Sequence, residues 1–164
     1  MDAHRIMKLA CYQFANELRC AGVMLEQMGI MTTFCAQKQK ISKRCELINL
    51  SRKLLIGIPQ DFENTLRDCL IISTVETDAR TSGGKRYAYS DLLYDKLCLN
   101  LALTRGARRI IIVCDRDVLI GIDHWKELIE FVEASPRPRE FGSNTCKSED
   151  CSHLDSTAKS MLLG

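Results

Sequence analysis

The side chains that could do chemistry are few, and their spacing narrows what that chemistry can be. Arg105 closes a stretch carrying Leu97, Leu99, Leu101 and Leu103. Its planar, permanently charged fork suits anionic oxygens, and at a helix end it can equally satisfy open carbonyls. Arg108 and Arg109 follow closely and read as solvated, with phosphate contact as the alternative. Cys146, Cys151 and His153 could offer three zinc ligands, but the spacing matches no standard finger, so the metal-free reading is preferred. Lys38, Lys40, Lys43 and Arg44, with Lys53 nearby, form a basic cluster. It reads as a solvated helix face, with contact to an RNA backbone as the alternative. Phosphoryl transfer needs a lysine and a metal at the phosphates, yet no G-x-x-x-x-G-K-[ST] run occurs in these 164 residues. Gly83-Gly84-Lys85 lacks the leading glycine, and no Asp-Glu magnesium pair precedes it. Alone, this chain is not expected to hydrolyse ATP.

The elements that must position these residues alternate in type. Residues 4–28 carry apolar positions at helical spacing, read as one helix or two broken near Gly22 and ended by Gly29. Ile30–Phe34 reads as a strand, Ala36–Leu50 as an amphipathic helix, and Leu54–Ile58 as a second strand stopped by Pro59. Cys69–Val75 and Arg109–Cys114 are nearly all apolar, as strands covered on both faces of a parallel sheet are. A polar loop at 76–90 leads to a leucine-rich helix from Asp91 to about Thr104. Asp123 can cap a last helix holding Trp125, Leu128, Ile129 and Val132. Residues 135–164 lose apolar periodicity and read as a mostly flexible tail. Strand–helix alternation of this kind gives an α/β fold with a mostly parallel sheet flanked by helices, whose sites lie at the carboxyl ends of the strands.

Composition narrows the class further. Lys plus Arg number 23 against 21 Asp plus Glu, a net charge of +2 that supplies no electrostatic footprint for gripping nucleic acid. The length suits one domain. No signal-peptide core or bilayer-length apolar run is evident, so a cytoplasmic chain with no membrane role is expected. Nine cysteines, an odd number, cannot all pair within the chain, and reduced thiols are expected. Cys69, Cys98 and Cys114 read as small core hydrophobes.

Four segments in order carry a resemblance. Gly29-Ile30-Met31-Thr32-Thr33-Phe34-Cys35-Ala36-Gln37 is similar to a G-I-I-T-P-Y-x-x-Q segment. Asp61-Phe62-Glu63-Asn64-Thr65-Leu66-Arg67-Asp68 followed by Leu70–Val75 is similar to D-x-F-Q-G-x-E-x-D-x-V-I-I-S-T-V. Leu99-Asn100-Leu101-Ala102-Leu103-Thr104-Arg105 is similar to L-N-V-A-L-T-R, and His124-Trp125-Lys126-Glu127-Leu128-Ile129 to H-W-x-x-L-I. Over about residues 15–133 the chain resembles the second RecA-like domain of superfamily-one RNA helicases of the up-frameshift, Senataxin and Armitage type.

The resemblance implies a RecA-like fold of the P-loop NTPase class that lacks its phosphate loop, over residues 1–134, with 135–164 as the tail. It implies that Arg105 is an arginine finger stabilising transition-state charge. Phe34, Gln37 and Glu63 would border the nucleotide, with a core Phe beside a surface Gln as the alternative for the first two. Ser73, Thr74 and Thr104 would meet nucleic acid, with plain buried-strand hydroxyls as the alternative for Ser73 and Thr74. ATP and Mg2+ would bind only if a first RecA-like domain completed the site, in cis or in trans. Single-stranded RNA would be a weak partner of this half, and no metal is held by it alone. Departures accompany these matches. Thr33 stands for the proline, Glu63, Asn64 and Leu66 replace the glutamine, glycine and glutamate, and Glu76 replaces an arginine. They favour, as the rival, a non-catalytic protein-interaction module derived from a helicase. An independent enzyme with a cysteine nucleophile finds no histidine that the sequence places beside a thiol.

Overall fold

A computed structural model describes residues 3–47, 53–74, 91–135 and 160–163. Its centre is a sheet of four parallel strands, β1 (Met28–Thr32), β2 (Leu55–Gly57), β3 (Arg67–Thr74) and β4 (Gly106–Cys114). A short β5 (Ser160–Leu163) runs antiparallel at one edge, and the spatial order is β2-β1-β3-β4-β5. The helices are α1 (Ala3–Cys20), α2 (Cys35–Leu47), α3 (Asp91–Tyr94), α4 (Lys96–Leu103), α5 (Arg116–Leu119) and α6 (Asp123–Ala134).

Strand side chains alternate across the sheet, and each face takes its own helices. Ile30, Ile71, Ile111 and Val113 bury against Cys11, Ala15 and Leu18 of α1 and Ile41 and Cys45 of α2. Met31, Leu70, Ile72, Ile110 and Ile112 bury on the other face with Leu92, Leu93, Leu99, Ala102, Leu119, Trp125 and Ile129. Apolar runs without alternation in β3 and β4 are the consequence of helices on both sides.

Several expected boundaries move. α1 stops at Cys20, and the left-handed residue past its end is Gly22, with φ of 90°. Gly29 ends no helix. It lies inside β1, where an added Cβ would come within 2.8 Å of the Phe62 ring. α2 ends at Leu47, and Ile48–Leu50 and Val75 fall outside the described residues. The Asp91–Thr104 helix is two, because Asp95 turns extended and its carboxylate caps α4 by accepting from Leu97 N–H at 2.8 Å. β3 and β4 begin earlier than expected, at Arg67 and Gly106. Asp123 is the first residue of α6 and does not cap it, since the cap position is Ile122, without a side-chain bond. Four residues of the expected tail form β5, paired with Ile110–Val113.

One anchor crosses the helical layer. His124 Nε2 and Trp125 Nε1 both donate to the carbonyl of Leu93, at 2.8 and 3.2 Å. Only the Nε2–H tautomer lets the imidazole donate to an oxygen that can only accept. The adjacent His-Trp pair thus ties the start of α6 to the end of α3.

Candidate functional site

The residues singled out in the sequence gather at opposite ends of the sheet. At the carboxyl end, β1 and β3 set Thr32 beside Ser73 in register, and Gln37 in the first turn of α2 lies over both. The Gln37 amide donates to Ser73 Oγ at 2.8 Å, and its Oε1 accepts from Thr32 Oγ1 at 3.0 Å and Thr33 Oγ1 at 3.4 Å. All four side chains are buried. Thr32 Oγ1 also accepts from the Phe34 N–H at 3.2 Å, which shapes the turn where the proline is missing. Thr74 is buried too and donates to the Val113 carbonyl. Phe34 is half-buried.

Glu63, Thr104 and Arg105 lie at the other end. Register pairs Arg67 with Gly106, and the Arg67 N–H donates to the Arg105 carbonyl at 2.9 Å. The Arg105 guanidinium donates through Nη1 to the Glu63 carbonyl at 2.8 Å and through Nη2 to Thr104 Oγ1 at 3.2 Å. Its Nε is buried without a partner among the described residues. Thr104 in turn donates to the Leu101 carbonyl at 2.8 Å. At roughly 3.3 Å per residue, the length of β3 from Arg67 to Thr74 separates the two ends by about 20 Å. Phe34 and Gln37 are therefore not brought to Arg105.

The basic cluster is partly neutralised. Lys38 pairs with Asp61 at 2.7 Å and Lys53 with Glu26 at 2.6 Å, while Lys40, Lys43 and Arg44 are exposed. Asp61, read in the sequence only as part of a motif, follows Gly57 and Pro59 at a spacing that signals a turn acceptor. It accepts from Lys38 and from the Ile58 N–H, and the lysine hydrogen bond holds its carboxyl below the usual aspartate range. Arg108 is exposed and Arg109 half-buried.

Cysteine chemistry is suppressed where the thiols can be placed. Burial pushes Cys11 up to about 12, against a smaller opposing contact from the Ser73 hydroxyl. Burial likewise pushes Cys45 and Cys114 up to about 11 and raises Cys69. Cys69 and Cys114 are core residues as expected, whereas Cys98 is half-buried. Cys146, Cys151, His153, Glu76 and Gly83–Lys85 lie outside the described residues.

Among the described residues no three His, Cys, Asp or Glu side chains group to hold a metal ion. Glu63 and Asp95, with Pro59, Gln60, Leu97, Cys98 and Leu101, line an open groove.

A family model described as an AAA domain matches residues 5–117, more than half of the chain. The chain belongs to the AAA domain family. The AAA domain here is helicase-like, of superfamily one, and its parallel sheet between two helical layers is the RecA-like α/β fold. No curated protein matches the chain. No helix among the described residues of this AAA domain is long and apolar enough to cross a membrane.

Proposed function

We propose that this AAA domain serves as the second RecA-like half of an ATP-dependent RNA helicase, unable to turn over ATP alone and completed by a first RecA-like domain. The observation that carries this reading is the position of Arg105. It stands where α4 runs into β4, at the end of the Asn100–Arg105 segment, on the sheet end away from the Thr33–Gln37 turn. In a completed motor Arg105 would exchange the Glu63 carbonyl for a nucleotide oxygen held by the first domain. Single-stranded RNA would cross the far end of the sheet. With Ser73 and Thr74 turned inward and a net charge of +2, that grip is weak.

The test is fluorescence anisotropy of a labelled oligouridylate titrated with the chain at several salt concentrations. Weak binding that falls as salt rises is the expected result. No binding at low salt would overturn the RNA half of the reading. It would favour instead the non-catalytic interaction module, a second reading supported by the engagement of Arg105 Nη1 and Nη2 within the chain and by the acidic groove lined by Glu63 and Asp95.

A further inference from the structure

Leu97 on α4 is 76% exposed, and it is not isolated. Leu101, one turn on, and Cys98 lie on the same side of the helix and face Pro59 and Gln60 across an open groove of about 250 Å³. Leu66, three residues beyond Glu63, is 59% exposed on the loop that Arg105 holds. Single exposed leucines are ordinary, and here a half-buried second leucine and Pro59 give the exposed one an apolar neighbour in the same groove.

The charges say what the groove takes. Among the described residues that line it, Glu63 and Asp95 are charged and no Lys or Arg is present. The Arg105 guanidinium, held on the Glu63 carbonyl and the Thr104 hydroxyl, offsets part of this charge without a direct ion pair to either carboxylate, and the lining stays net acidic. Asp95 spends Oδ1 on the Leu97 N–H and keeps a second carboxylate oxygen. A phosphate would meet two like charges here, whereas a cation is drawn in.

We propose that this groove docks a short apolar segment of a partner protein that carries a Lys or Arg. An aliphatic side chain of that segment seats against Leu97, Leu101 and Pro59, and its cation faces Glu63 and Asp95. Neither the nucleotide nor the RNA reading uses Leu97, whereas Glu63 also figures in the nucleotide reading, so Leu97→Asp is the variant that tests the docking surface apart from them.

Selection of displayed random peptides on the full chain, followed by fluorescence polarisation of the enriched peptides, tests this. The enriched sequences are expected to combine aliphatic residues with Lys or Arg. Binding should weaken about tenfold or more in Leu97→Asp and in Glu63→Lys. Thermal melts of both variants serve as the folding check; Leu97 and Glu63 are exposed, so either one that melts like wild type carries the result. Absence of enrichment, enrichment of acidic peptides, or equal binding by the folded variants would overturn the proposal. A concentration-dependent dimer in sedimentation that Leu97→Asp dissolves would also overturn it, because a second copy would then fill the groove.

Discussion

The Arg105 guanidinium donates through Nη1 to the backbone carbonyl of Glu63, 2.8 Å away and 42 residues earlier in the chain. The contact ties the end of α4 to the turn that enters β3. It also makes one residue answer to two demands, since a side chain holding this loop is not at the same time extended toward a ligand.

Removing that tie should loosen the Glu63–Leu66 loop more than the core. Arg105→Ala is expected to cost about 1 kcal/mol, the net worth of a typical intramolecular hydrogen bond. Arg105→Lys should recover little, because one ammonium cannot reproduce a fork that meets both a carbonyl and a hydroxyl. Urea unfolding of the three proteins checks this, with an unchanged Arg105→Ala midpoint as the contrary result.

Gln37 is the junction of the carboxyl end. Gln37→Leu keeps the volume but strips partners from the buried Ser73, Thr32 and Thr33 hydroxyls, at an expected cost of about 2 kcal/mol. Equilibrium denaturation measures it. Loss below a few tenths would mean that water replaces the amide.

Asp61 makes stability depend on pH in a defined direction. Its carboxyl is held low in the folded chain, first by Lys38, so its contribution is present above the unfolded aspartate pKa and is lost as pH falls through the lower folded value. Asp61→Asn keeps an acceptor for the Ile58 N–H and gives up the ion pair. Its melting temperature should lie modestly below wild type near neutral pH, and the gap should close below about pH 4. Melting curves across that range decide, and a gap independent of pH would contradict the assignment.

Thiol labelling separates the described cysteines by exposure and acidity. Cys20 and Cys35 are exposed, whereas Cys11, Cys45 and Cys114 are buried with raised pKa values. Maleimide mass mapping of the folded chain should find Cys20 and Cys35 modified well before the other three. Early modification of Cys11 would revive a nucleophilic cysteine.

Much of the fold was legible in local pattern. The runs Leu70–Ile72 and Ile110–Val113 are apolar and mostly β-branched, so their burial between two helical layers followed from residue type. Helix ends were less legible. Gly22 and Gly29 both sit at plausible stops, and only tertiary packing against Phe62 places Gly29 in a strand. The break at Asp95 hid inside a continuous leucine pattern, because a capping carboxylate looks like any exposed acidic residue until the backbone turns. The candidate site was legible as residue types but not as geometry. Which end of a parallel sheet a residue occupies depends on strand direction, and that separates Gln37 from Arg105. That Ser73 and Thr74 face inward depends on the partners Gln37 and the Val113 carbonyl, which no spacing reveals.

The central claim is that this AAA domain is half of a motor and does not turn over ATP alone. Steady-state ATP hydrolysis by the purified chain, with and without single-stranded RNA, tests it most directly. The predicted result is no phosphate release above the buffer rate in either condition. RNA-stimulated turnover that disappears in Arg105→Ala would contradict it, because the chain would then hold a complete site of its own.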